Sequence, residues 1–137
     1  DLGRVFPGYF RHSYWNPSFA CPVKDSTRNQ VDFLLKKIEK ADRSIPVFLY
    51  LNIDAIHYPN YFYLDGAVHD SLESHGAALR YVDGQLGRLF ERWKSVRGST
   101  FVICCSDHGT CYGEDGCQFH GINHPAVTTV PYKHFTL

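Results

Sequence analysis

Asp54 and His57 stand at the end of the apolar run Pro46-Val47-Phe48-Leu49-Tyr50-Leu51-Asn52-Ile53, and Asp107 and His108 stand at the end of Phe101-Val102-Ile103-Cys104-Cys105-Ser106. Carboxylate oxygen and imidazole nitrogen suit zinc, manganese or iron, whereas thiolate-rich sets mark structural zinc. Both runs read as strands, and the C-terminal strand ends of an α/β sheet are where such sheets carry ligand-binding groups. Neighbouring parallel strands would place both Asp/His pairs at one sheet edge. A pair of metals about 4 Å apart can hold the attacking and leaving oxygens of an in-line displacement at phosphorus, so the chemistry indicated is metal-assisted ester hydrolysis. Each metal needs at least three protein ligands. The glycine-rich stretch Gly113 to Pro125 offers His120 and His124, folding back over the strand ends.

The same residues admit other readings. Asp54 and Asp107 are also the type that caps helices or forms turns after a strand, which would make the chain a non-catalytic α/β binding module. Cys111, Cys117, His120 and His124 form Cys-x5-Cys-x2-His-x3-His, a loose match to a structural-zinc loop that leaves the strand-end aspartates unexplained. Cys111 has no dedicated base beside it in the sequence and reads as a packed or exposed thiol rather than a nucleophile. His12, His69, His75 and His134 have no partner at ligand spacing and read as surface or core-edge residues.

The elements that must position these groups follow from periodicity. Residues 1 to about 26 are rich in Pro, Gly and aromatics without either period, and read as irregular structure packed through its rings. Ser26 or Thr27 is the expected cap of an amphipathic helix carrying Val31, Leu34, Leu35 and Ile38, with Lys36, Lys37, Glu39 and Lys40 outward. The run 46–53 reads as a strand buried on both faces. A second helix is expected from about Asp70 to Val96, with Leu72, Leu79, Val82, Leu86, Leu89, Phe90 and Trp93 on its apolar side and Gly98 past its end. Thr100 to Cys105 is the next strand, and Val127 to Val130 a short third one. Helix, strand, helix, strand is the order of a parallel α/β sheet with helical crossovers. A sheet of so few strands has long unpaired edges, so a second copy or an N-terminal segment is expected to cover them.

Composition bounds the rest. The chain has 137 residues, enough for one domain, and 14 basic against 14 acidic residues with no basic stripe, which argues against a nucleic-acid partner. No apolar run approaches the roughly 20 residues of a membrane span, and Asp1 to Val5 lacks a signal-peptide pattern. The five cysteines include no CxxC, and the adjacent Cys104 and Cys105 point to opposite strand faces, so reduced thiols in a soluble cytoplasmic protein are expected. With no methionine and aspartate first, the chain reads as a processed product or part of something longer.

Ser106-Asp107-His108-Gly109 after an apolar strand resembles the second metal motif of the alkaline phosphatase superfamily, which includes sulfatases, nucleotide pyrophosphatases and phosphopentomutases. Asp54-x-x-His57 resembles that superfamily's other strand-end motif, and His124 ahead of Val130-Pro131-Tyr132 matches its later histidine. Asn52 to Asn60, Ala77 to Asp83 and Cys105 to Thr110 are similar to a bacterial family of sulfatase-like metal-dependent hydrolases, over about Leu2 to Leu137. The resemblance implies a three-layer α/β/α, mainly parallel, alkaline-phosphatase-like fold, of which 1–137 is the C-terminal portion and an incomplete domain. It implies a small phosphate or sulfate ester as substrate, and divalent metals, zinc or manganese. Asp54, His57 and His124 would bind one metal and Asp107 and His108 the other, with His120 as alternative third ligand. The pattern's earlier Asp and its Ser, Thr or Cys nucleophile at a helix start are not matched by Ser13, Ser18, Cys21, Ser26 or Thr27, none of which follows a strand as the pattern requires.

Overall fold

A computed structural model describes residues 6–137. Asp1 to Val5, on which the reading of the N-terminus rests, lie outside the described residues. Helix α1 spans Ser26–Lys40 and turns Val31 and Ile38 inward. Its cap is Asp25, not the expected Ser26 or Thr27: both hydroxyl residues lie inside the helix, fully buried, and the Asp25 carboxylate pairs with Arg28 at 2.8 Å. Helix α2 spans Leu72–Arg97. Ser71 opens it with a reciprocal capping box to Ser74, and Gly98 at φ 72° closes it, a conformation glycine adopts without penalty.

The core lies between these helices, where Val31 and Ile38 meet Leu89, Trp93 and Val96, flanked by Leu34, Leu35, Leu86 and Phe90. Leu72 and Leu79, expected on the apolar side, are 62% and 52% exposed because they fall off the stripe that faces α1. Tyr81 Oη accepts from the Arg28 amide at 3.1 Å, Arg88 pairs with Asp32 at 2.7 Å and Arg92 with Glu39 at 2.7 Å. Positions rise together along both helices, so the two lie parallel. The ion pairs are solvent-exposed and contribute about 0–1 kcal/mol each, so they mark the register while burial holds it.

Parallel helices require the chain between them to run back. Arg97 donates to the carbonyls of Asp42 and Ile45 at 2.9 and 2.5 Å, Gln30 Nε2 donates to Asn52 O at 2.6 Å, and Leu51 packs on the core. This return segment corrects the expectation of a strand buried on both faces. It carries no strand pairing, and Phe48 is 81% exposed with Val47 and Tyr50 also open. An apolar run becomes a strand only where a neighbour takes its backbone groups, and no described strand lies beside it.

Strand β1, Phe101–Cys105, pairs antiparallel with β4, Tyr132–Thr136, Phe101 opposite Thr136 and Cys105 opposite Tyr132. β2, Cys111–Tyr112, pairs antiparallel with β3, Gln118–Phe119. The expected mainly parallel three-layer sheet is therefore not what the described strands form. β1 is covered on one face, where Phe90 meets Phe135 at 5.6 Å and Trp93 Nε1 donates to Thr100 Oγ1 at 2.9 Å, so Phe101 and Ile103 remain exposed on the other. The third strand expected at 127–130 is instead helix α3, Pro125–Thr128. His124 caps it by accepting from the Ala126 amide, and Pro125 fills the first position, where its missing N–H costs nothing. All five cysteines are free thiols.

Candidate metal centre

β1 delivers the turn Ser106-Asp107-His108-Gly109. Asp107 Oδ1 accepts from the His108 amide at 3.0 Å, and the Gly109 amide donates to Val127 O at 2.8 Å. The turn thus lies directly on α3. A Cβ at Gly109 would stand 2.0 Å from Ala126 O, so the approach is open to glycine alone. The return segment delivers the second turn, closed by His57 N to Asp54 O at 3.0 Å, with Asn52 Nδ2 donating to Asp54 Oδ1 at 2.7 Å.

Buried Asn60 fastens this loop. Its Nδ2 donates to Ile56 O at 3.3 Å and to Tyr112 Oη at 2.8 Å, and its Oδ1 accepts from Ser74 Oγ at 2.5 Å. Asp70 Oδ1 accepts from the amides of Asn60 and Tyr61, both at 2.7 Å. The loop is therefore tied to the start of α2 and to β2. Sequence periodicity offers no sign of this network, because Asn60 sits in an aromatic loop without repeat.

The β2–β3 hairpin brings in His120. Phe119 just before it takes φ 67°, a left-handed conformation rare for a bulky residue, with its ring 5.1 Å from that of Tyr58. The His120 ring lies 4.4 Å from that of His108 and 5.5 Å from that of His57. Burial pushes the Asp54 carboxyl up, opposed by His57 and reinforced by Asp107. Burial pushes the His120 imidazole down, helped by His108 and His57 and opposed by Asp107. His57 and Asp107 thus act on both Asp54 and His120, and His108 acts on His120.

Hydrogen bonds fix the ring tautomers. His57 Nδ1 lies 2.6 Å from Tyr58 O and His108 Nδ1 lies 2.8 Å from Gly109 O. A carbonyl only accepts, so each Nδ1 carries a proton, and Nε2 is the nitrogen left to present to a metal. His120 Nδ1 is buried without a hydrogen-bond partner, an orphaned donor site that a metal ligand's environment would explain. These oxygen and nitrogen donors are of the types a zinc- or manganese-class cation takes, but among the described residues it is the donor atoms of Cys111, Cys117 and His124, not those of this set, that all lie within 4.8 Å of one another.

His124 sits elsewhere. Its Nδ1 is 3.3 Å from Cys111 Sγ and accepts from the Ala126 amide at 3.1 Å, while Nε2 is 3.3 Å from Asp115 Oδ2. Of the five upstream nucleophile candidates, Cys21 lies against the His57–Pro59 backbone, 3.4 Å from Tyr58 O. Burial first, then Asp54 and Asp70, push that thiol up, so it rests protonated. Ser26 and Thr27 are buried inside α1, and Ser13 donates to Pro7 O at 3.0 Å.

A family model described as Sulfatase matches residues 6–132. The chain belongs to the sulfatase family. The match covers both Asp/His turns, the hairpin and α3, and no curated protein and no solved structure matches the chain. The sulfatase family is one of sulfate-ester hydrolases with an α/β fold of the alkaline phosphatase type, and its members generally use a divalent metal. Among the described residues no helix is long and apolar enough to cross a membrane.

Proposed function

We propose that Asp54, His57, Asp107, His108 and His120 are the protein's contribution to a two-metal site that hydrolyses small sulfate or phosphate esters, with zinc or manganese as the metals. The observation carrying this reading is the approach of both Asp/His turns to His120, whose ring stands 4.4 and 5.5 Å from those of His108 and His57. His120 replaces His124 in the first ligand set, because the His124 ring is engaged with Cys111 and Asp115. These residues would hold the divalent metals, which would supply polarisation of the ester oxygen and stabilisation of charge on the attacking and leaving oxygens.

The chain's own groups have distinct duties. The two carboxylates supply negative charge. His57 and His108 present Nε2 with the opposite nitrogen already committed to a backbone carbonyl, so little ring ordering remains on binding. His120 is kept neutral by burial and by its two histidine neighbours, as a ligand must be. The Tyr58 ring packs against His120 at 5.6 Å and against Phe119 at 5.1 Å.

In this reading residues 1–137 are the C-terminal portion of one catalytic domain, and the nucleophile comes from outside these motifs. The exposed apolar stretch Val47 to Tyr50, which has no paired strand among the described residues, supports this, since a strand of a larger sheet would present such a face. The 137-residue chain is expected to bind zinc or manganese, to lose it on Asp54→Ala or His120→Ala, and to turn over p-nitrophenyl sulfate and phosphate poorly. Metal content measured on purified variants tests the ligand set: undiminished metal in both variants refutes it. Fast, chelator-sensitive turnover that depends on Asp107 would refute the missing nucleophile.

A further inference from the structure

Cys111, Cys117 and His124 form a cluster that ester hydrolysis leaves unused. Their donor atoms all lie within 4.8 Å of one another, and Cys111 is 2% exposed. The hairpin creates this arrangement. Gly113 at φ 121°, Asp115 at φ 50° and Gly116 at φ 75° turn the chain back, the Gly113 amide donates to Cys117 O at 2.9 Å, and Cys117 returns beside Cys111. His124 reaches the same point from the cap of α3.

We propose that Cys111, Cys117 and His124 constitute a second, thiolate-rich binding site for a zinc-class divalent cation, separate from the Asp/His set. Tetrahedral zinc with sulfur at about 2.3 Å and nitrogen at about 2.0 Å sets S···S near 3.8 Å and S···N near 3.6 Å. Cys111 Sγ already stands 3.3 Å from His124 Nδ1, and the other separations need to close by about 1 Å at most to reach those values. Asp115 Oδ2, 3.3 Å from His124 Nε2, is placed to accept a hydrogen bond from that N–H, as carboxylates do behind zinc-bound histidines. Two soft sulfurs and one imidazole select zinc over manganese or magnesium, so the two sites differ in the cation they prefer. The fourth position goes to water, as in other Cys2His sites. Binding releases the two thiol protons to solvent and replaces the Ala126 amide at Nδ1, giving a neutral centre of one dication and two thiolates. Loading the site would bind the His120-bearing hairpin to α3.

Cobalt(II) titration of the reduced, chelator-stripped 137-residue chain tests this. One cobalt per chain should bring up a thiolate-to-cobalt charge-transfer band with tetrahedral visible bands, and zinc should bleach both. The band should vanish in Cys117→Ser and in His124→Gln and persist in an Asp54→Ala/His57→Ala double variant. That last arm separates the site from the Asp/His set, whose oxygen and nitrogen ligands yield no such band. Cys117 is only partly buried, so its variant keeps the test valid if Cys111→Ala fails to fold. The Ala126 amide resonance should move on zinc addition in wild type and not in Cys117→Ser. Cobalt binding without the band, a band that survives Cys117→Ser, or loss of the band in the Asp54→Ala/His57→Ala variant overturns the proposal.

Discussion

Replacing Asn60 with alanine isolates what holds the Asp54–His57 turn in place. The side chain is fully buried and makes contacts to Ile56 O, Tyr112 Oη and Ser74 Oγ at 3.3, 2.8 and 2.5 Å. Two of those partners keep a second one. Tyr112 Oη remains 3.0 Å from His75 Nδ1, and Ser74 Oγ remains 2.9 Å from Ser71 O. The Ile56 carbonyl loses its Asn60 donor, so its desolvation adds to the loss of three net bonds at about 0.5–1.5 kcal/mol each. With the small cavity left behind, Asn60→Ala should cost about 2–4 kcal/mol. At roughly 4 °C per kcal/mol for a domain of this size, the melting temperature should fall by about 8–16 °C. Urea unfolding followed by circular dichroism measures the first figure and a thermal scan the second. Asn60→Asp sharpens the test, because it puts a buried charge beside Asp70 and gives Ile56 O no donor; it should be no better than alanine at neutral pH and should recover partly in acid. If Asn60→Ala costs under about 1 kcal/mol, or Asn60→Leu is stabilising, the network does not anchor the loop and its role in placing His57 fails.

Other consequences follow from the same contacts. Gly109→Ala drives a Cβ to 2.0 Å from Ala126 O, so α3 must move; we expect about 2 kcal/mol or more of destabilisation by backbone clash, and altered His108 and His124 resonances in the NMR spectrum. Burial pushes the His75 imidazole down from its ordinary value of 6.5. The unfolded chain therefore binds more protons between the depressed native value and 6.5, so unfolding free energy should fall as pH drops through that window, and His75→Gln should flatten this dependence in urea titrations at several pH values. Leu89→Ala, at a position 3% exposed between the helices, should cost about 2–5 kcal/mol and leave the metal content of the folded protein unchanged.

Local signals located some of this fold and missed the rest for definable reasons. The span of α2 was readable because Ser71 and Gly98 are strong start and stop residues around a long apolar period. The stretch 46–53 misled because apolar character reports that a segment can join a sheet, not that a neighbour is present to pair with it. Val127 to Val130 looked like a strand by residue type, yet Pro125 after a capping side chain already signalled a helix start. At the site, the two Asp/His turns stand out by residue type at the ends of apolar runs, though only β1 leads into one of them as a strand. The division between His120 and His124 was not, since it depends on how the left-handed residues of the hairpin aim each ring. The turn residues Gly113, Asp115 and Gly116 are typical of tight reversals, so the return of Cys117 to Cys111 had a local signature that spacing to the histidines obscured.

His57 and His108 each give their Nδ1 proton to the carbonyl of the very next residue. The donor nitrogen of each ring is therefore set within a two-residue backbone unit, whatever side chains hold the loop around it. Metal sites usually depend on remote carboxylates or carbonyls that must co-vary with the ligand. In the metal site proposed above, side chains around these turns could then change what ester is accepted without changing which nitrogen either imidazole presents. Saturation mutagenesis around these histidines should accordingly find substrate preference changing far more readily than metal retention.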